Sequence, residues 1–153
     1  MLRFLSLSSG SCGNCYYLEH TDSDGTPHAL LIDAGVSLRR LKQVLQANSL
    51  DENSFSSVLI THDHMDHIRS LASYCKRLKK PVYATSELHS ALAAHSFGEP
   101  YLGQCRCELK QDAWNDIDGF RVRYFVVPHD ATQTVGYYIA AGDRKFVIMT
   151  DLG

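Results

Sequence analysis

The chain has 153 residues, 44% of them hydrophobic and 21% charged, with a formal net charge of −2. This balance excludes disordered and membrane-spanning classes, gives no whole-chain attraction to nucleic acid or acidic membranes, and predicts one soluble globular domain over residues 1–153. The apolar stretch at 1–7 is too short for a secretory signal, and five cysteines (Cys12, Cys15, Cys75, Cys105, Cys107) lack the spacing of a disulfide framework, so a cytoplasmic protein with reduced thiols is expected.

In chain order, residues 2–7, 15–19 and 29–32 read as strands, with Asp22-Ser23-Asp24-Gly25 as the polar turn between the latter two. Ser37 is placed to cap a helix whose Leu38, Leu41, Val44 and Leu45 share one face. A strand over 58–61 leads into a histidine-rich tract. Beyond it Ile68, Leu71, Ala72, Cys75 and Leu78 keep helical spacing up to the stop at Pro81. A short strand over 82–84 precedes a helix capped by Thr85 or Ser86 and running to about His95. The remainder is β-rich: Phe120, Val122, Tyr124 and Val126 alternate along one strand, 134–140 forms the next, and Gly142-Asp143 turns into a strand over 145–150. Cys105 and Cys107, two apart, are expected on one face of a strand, and the thiols are read as structural.

The chemistry concentrates in Thr61-His62-Asp63-His64-Met65-Asp66-His67, three imidazoles and two carboxylates within six residues. An expression tag would sit at a terminus and lack interleaved carboxylates, whereas this tract lies between a strand and an amphipathic helix. A single catalytic zinc takes three protein ligands, so a cluster this rich fits two metals better. Three strands run into such chemistry at their C-terminal ends: Ile60-Thr61 into His62, Val126-Val127-Pro128 into His129 and Ile148-Met149-Thr150 into Asp151. Ligand sites on α/β scaffolds favour that edge, which predicts a single site.

Taken together, Leu31-Ile32-Asp33-Ala34-Gly35, the His62-x-His64-x-Asp66-His67 tract, His129 and Thr150-Asp151 resemble the metallo-β-lactamase-fold hydrolases, in that family's motif order. Ser8-Ser9-Gly10-Ser11-x-Gly13-Asn14 and Pro128-His129-Asp130-Ala131 are most similar to its YycJ/WalJ-type exonuclease branch. The resemblance implies an α/β fold, the αββα four-layer sandwich, of which this chain would supply the N-terminal part. It also implies that His62, His64 and His129 ligate one divalent metal, Asp66 and His67 a second, and that Asp151 bridges the two. Asp66 would in addition orient a metal-bound hydroxide as nucleophile. Asp33, Asp63 and Asp130 are candidates for the surrounding shell, the first two by accepting the remaining imidazole N–H protons. With two divalent cations, two carboxylates and a hydroxide, a net charge of about +1 is left to receive an anionic substrate. Zinc suits the imidazoles, with manganese or iron as alternatives.

The implied activity is phosphodiester hydrolysis in nucleic acid. The alternatives are hydrolysis of a small ester, thioester, lactone or cyclic phosphodiester, and a catalytically incomplete metal-binding fragment. The family continues beyond the bridging aspartate and supplies a further histidine to the second metal, so truncation at the C-terminus is expected. No membrane association is expected, and protein partners are not specified. His20, His28, His89 and His95 read as surface or partly buried residues, and Trp114 and the tyrosines as core and rim. Lys76-Arg77-Leu78-Lys79-Lys80 reads as a solvated helix end, with Arg39-Arg40-x-Lys42 as a second cationic cluster.

Overall fold

The computed structural model describes residues 2–7, 14–63, 65–95, 103–127 and 133–149, and for Met65 and Asp66 the backbone alone. Its organising element is the apolar run in β3 (Pro27–Ile32), which is buried on both faces. Ala29 and Leu31 point to one core, and Leu30 and Ile32 to another. A strand covered on both sides loses polar–apolar alternation and becomes continuously hydrophobic, as this one is.

Around it, β1 (Leu2–Ser6), β2 (Tyr16–Thr21), β4 (Ser57–Leu59), β5 (Val82–Ala84) and β6 (Arg106–Glu108) complete a six-stranded sheet ordered β1-β2-β3-β4-β5-β6. The first three strands are antiparallel and the last four parallel. Helices α1 (Leu38–Ala47), α2 (Met65–Ile68), α3 (Leu71–Arg77) and α4 (Ser86–Ala93) come from the connections between the parallel strands. Leu41, Leu45, Leu71, Tyr74, Leu88 and Leu92 close the first core against this sheet. Parallel pairing requires such crossovers, and they supply the covering layer.

A second sheet, ordered β10-β9-β8-β7, is antiparallel throughout and consists of β7 (Asn115–Ile117), β8 (Phe120–Val127), β9 (Thr134–Ala141) and β10 (Arg144–Ile148). Its Phe120, Val122, Val135, Tyr137 and Ile139 meet Leu18, Leu30, Ile32 and Leu59 in the second core. The described residues therefore contain three layers, helices, sheet and sheet, of the expected αββα sandwich. Among the described residues no helix is long and apolar enough to cross a membrane.

Local signals hold where they are strongest. Ser37 accepts the Arg40 amide at the start of α1, and Thr85 accepts the Leu88 amide at the start of α4. The helix expected to run unbroken from Ile68 to Leu78 is instead divided at Arg69 and Ser70. The His67 carbonyl accepts the Ala34 amide at 2.6 Å, and the Ser70 amide donates to the Ala34 carbonyl at 2.9 Å. Tertiary hydrogen bonds at the break replace continuation of the helical ladder.

The cysteines depart from their predicted geometry. Strand β6 begins only at Arg106, so Cys105 belongs to the helix-side core while Cys107 pairs in register with Tyr83, which packs against the inter-sheet core. The two sulfurs do not share a strand face. Cys15, Cys75, Cys105 and Cys107 are free thiols; Cys12 lies outside the described residues. Burial pushes the Cys15 and Cys75 thiols well above their ordinary range, which keeps them protonated and inert.

Candidate metal centre

Asp33 leaves β3 with a φ of 66°, in the left-handed region that aspartate tolerates better than most side chains. Its amide donates to the Leu59 carbonyl at 2.7 Å. The carboxylate reaches the loop beyond β4, where Oδ1 accepts the Thr61 amide at 2.8 Å and Oδ2 accepts the Thr61 hydroxyl at 2.7 Å. Oδ2 also accepts Nδ1–H of His67 at 2.6 Å. Asp33, Thr61, His62 and His67 are all buried. A buried carboxylate needs hydrogen-bond partners, and three donors meet that requirement here.

This network fixes two imidazoles at once. Because the Thr61 hydroxyl proton goes to Asp33, the Thr61 oxygen is left as the acceptor for Nδ1–H of His62, 3.0 Å away. His67 carries its proton on Nδ1 through its direct bond to Asp33, and its Nε2 accepts from the Asn14 side-chain amide at 3.1 Å. In both rings Nε2 is therefore the lone-pair nitrogen. The ring centroids lie 3.8 Å apart with planes inclined at 52°. Two adjacent imidazoles with ordered Nε2 lone pairs are chemically suited to a divalent metal.

The structure thus brings His62, His67 and Asp33 together. Asp63 lies beside them in the chain and accepts Nε2–H of His95 at 3.2 Å. The backbone of Asp66 belongs to α2, one residue before His67. His64, His129, Asp130 and Asp151 lie outside the described residues, and among those described no group of three or more His, Cys, Asp or Glu side chains is placed to hold a metal. Thr61 and Asn14 are the residues that motif reasoning missed. Their signals were weak but present, a hydroxyl at the head of the histidine tract and an amide at the end of the Ser/Gly-rich segment.

The ends of the three strands meet around this loop. Val127, the last residue of β8, is in register with Thr134, and the next amide, that of Val135, donates to the Thr61 carbonyl at 2.8 Å. Ile148, the last residue of β10, is in register with Tyr137, whose hydroxyl donates to the Ile60 carbonyl at 2.5 Å. A cleft of about 810 Å³ opens between β1–β2 and β10 and reaches His67 and Asn14. Phe4 and Tyr16 stack along its wall with centroids 5.6 Å apart.

The remaining histidines divide. His89, expected at the surface or partly buried, is wholly buried on the inner side of α4, where Nε2 donates to the Cys107 carbonyl at 2.7 Å. Burial lowers its pKa and holds it neutral. His28 is mostly buried between Asp22 and Asp118, at 2.9 and 3.2 Å. Lys80, placed by sequence on a solvated helix end, instead turns inward: it donates to the carbonyls of Glu52 and Phe55 and lies 4.1 Å from the centroid of the Phe55 ring. Desolvation lowers its pKa.

Comparison with known proteins agrees with this architecture. Residues 28–153 match the Beta-lactamase superfamily domain. The chain is 32% identical over 154 residues to Exodeoxyribonuclease YycJ of Bacillus anthracis, covering 99% of this chain and 55% of that protein. It is 29% identical over 158 residues to Exodeoxyribonuclease WalJ of Streptococcus pneumoniae, covering 99% and 54% respectively. It therefore spans about half the length of the curated relatives it matches. The metallo-beta-lactamase fold protein YhfI from Bacillus subtilis superposes with a TM-score of 0.62 at 16% identity, over 95% of this chain and 61% of that one. The domain match together with the two stacked sheets and their helical cover makes this chain a member of the beta-lactamase superfamily, with the metallo-β-lactamase fold.

Proposed function

We propose that the protein is a cytoplasmic, metal-dependent phosphodiesterase that acts on nucleic acid as an exonuclease, and that residues 1–153 form part of a single metallo-β-lactamase-like domain. The observation that carries this reading is the Asp33 network, which sets the Nδ1 protons of His62 and His67 and so leaves Nε2 of each as the lone-pair nitrogen. In this proposal His62, His64 and His129 would hold one divalent metal, Asp66 and His67 would hold the second, and Asp151 would serve both. Zinc is the metal that imidazole-rich ligation favours, with manganese or iron as alternatives. When bound, such a pair supplies Lewis acidity toward water and toward the phosphoryl oxygens of an in-line displacement.

The chain's own residues do the ordering. Asp33 holds His67 directly and His62 through the Thr61 hydroxyl, so neither ring has to find its tautomer when a metal arrives. Asn14 donates to Nε2 of His67 from the side of the cleft, a bond that would give way to a metal taking the same lone pair. Asp66 would orient the attacking water, and Asp63 and Asp130 would support the ligands next to them. The exodeoxyribonuclease names of YycJ and WalJ support nucleic acid as the substrate class.

The test is metal content by mass spectrometry, together with digestion of single-stranded DNA, duplex DNA, a small phosphodiester and a lactone, with and without chelator. We expect chelator-sensitive release of nucleotides, and for Asp66→Ala a fall in kcat of at least about a hundredfold with little change in KM. Activity that survives metal removal, or that is confined to the lactone, would overturn the proposal.

A further inference from the structure

The two helices that leave the candidate centre carry a charge asymmetry that the overall charge conceals. Residues 34–50 contain Arg39, Arg40 and Lys42 and no carboxylate, and residues 68–80 contain Arg69, Lys76, Arg77, Lys79 and Lys80 and no carboxylate. Eight of the chain's 15 lysines and arginines thus fall on these segments of a molecule whose net charge is −2. Lys76 and Arg77 suit the C-terminal end of α3, where cations complement the helix dipole. Arg39 and Arg40 do not fit that explanation. They occupy the first turn of α1, which has no acidic residue, so their charge adds to the positive end of the helix instead of opposing it.

Three of these eight cations line one groove. A concavity of about 490 Å³ between α1 and α3 is lined by the cations Arg39, Lys42 and Arg77 and by the polar side chains of Gln43, Gln46 and Ser73, with no acidic residue among the described residues of its wall. Lys42 reaches out of it to Glu52, at 3.4 Å. Among the described residues no carboxylate pairs with Arg39 or Arg77. Helix α1 begins five residues after Asp33, and α3 begins four residues after His67. The Ala34 loop, bonded to His67 and Ser70, joins the starts of both helices to the metal-binding loop.

We infer that this groove binds the phosphate backbone of a nucleic-acid strand whose end occupies the candidate metal centre. The assignment of its occupant rests on the phosphodiesterase reading above. A concave lining of spaced cations and hydrogen-bonding side chains suits a run of phosphates, for which guanidinium groups give charge-assisted contacts without sequence preference. A flat basic patch edged by exposed apolar side chains would suit a lipid surface instead, and among the described residues of the groove wall Leu38 is the single apolar member.

The experiment is fluorescence anisotropy of the metal-loaded protein with a phosphorothioate-linked single-stranded oligodeoxynucleotide, over a salt series. It compares the wild type, Arg39→Gln/Arg77→Gln, the charge-preserving Arg39→Lys/Arg77→Lys, and Arg144→Gln/Lys145→Gln on the other sheet. Hydrolysis of a small phosphodiester is measured in parallel. Expected for the double glutamine variant are about tenfold weaker binding at low salt and a salt slope shallower by about 1.4, the loss of two single-strand phosphate contacts. The lysine variant should recover most of the binding, and the Arg144/Lys145 variant should match the wild type. Small-phosphodiester hydrolysis should be the same in all four. Wild-type affinity and slope in the glutamine variant would overturn the inference. So would a loss confined to polyglutamate or to phosphatidylserine vesicles with DNA binding intact. Groove-dependent binding by a protein that cleaves no phosphodiester would sustain the groove and reject the catalytic reading, so the two proposals can fail separately.

Discussion

His67 and His28 each lie against aspartate, yet their surroundings give the two rings opposite characters. Among the described residues His67 meets Asp33 in a buried site, and its second nitrogen accepts from Asn14, so Nε2 carries the ordered lone pair. His28 places a carboxylate on each nitrogen, Asp22 on one side and Asp118 on the other, nearer to solvent. Both nitrogens then act as donors. Hydrogen bonding to Asp22, reinforced by Asp118, raises the His28 pKa despite partial burial. The same two residue types make a prospective metal ligand in one place and a charged clasp in the other. What differs is the partner on the second nitrogen.

The largest effect should come from breaking the first arrangement. Asp33→Ala leaves the Thr61 amide, the Thr61 hydroxyl and the His67 Nδ1–H without their acceptor in a buried site. We expect a loss of roughly 3 kcal/mol in denaturant titrations, as for buried donors left unmet. Zinc affinity by calorimetry should fall roughly 10–100-fold. Asp33→Asn, which keeps the shape but offers a single carbonyl acceptor, should recover part of the stability and less of the affinity. Unchanged zinc affinity in both variants would mean that the network is structural only.

A smaller effect should follow from Gly119→Ala. Gly119 has a φ of +80° in the β7–β8 turn, and an added Cβ would lie 2.7 Å from the His28 ring. The substitution strains the turn and displaces the ring from Asp118, at a cost of roughly 1–2 kcal/mol. Site chemistry should be untouched. A parallel loss of metal affinity would show that the clasp and the centre are coupled.

The smallest effect is pH-dependent. The folded His28 pKa lies above its unfolded value of about 6.5. Its contribution to stability is therefore complete below about pH 6.5 and is lost as pH rises through the raised folded value. His28→Gln should lower Tm by about 2 °C at pH 5.5 and by less at pH 9, where the wild-type clasp has itself lost its proton. A difference that grows with pH would reverse the assignment of charge to His28.

How much of this was legible in the sequence follows from how local each signal is. Ser37, Thr85 and the Gly142-Asp143 turn act on neighbours within four residues, and the structure places their elements close to where the pattern did. Strands β6 and β7 have three residues each and owe their existence to β5 and β8, so neither has a pattern of its own. The break between α2 and α3 depends on Ala34, more than thirty residues away, and no helical periodicity records it. At the centre, the histidine tract announces metal chemistry by itself. The decisive acceptor, Asp33, comes from another strand, and its reach to His62 passes through a threonine hydroxyl whose role emerges only in three dimensions.

The bonds from Tyr137 to the Ile60 carbonyl and from Val135 to the Thr61 carbonyl join the two sheets at the rim that carries the histidine loop. Sheets held face to face by side chains alone can slide on one another as the sandwich breathes. Here such sliding would have to break two hydrogen bonds at one corner, and motion should be pushed toward the far end of the layers. The Val135 amide should therefore be among the slowest in the chain to exchange with deuterium, while amides in the turn at Asp22–Gly25 exchange early.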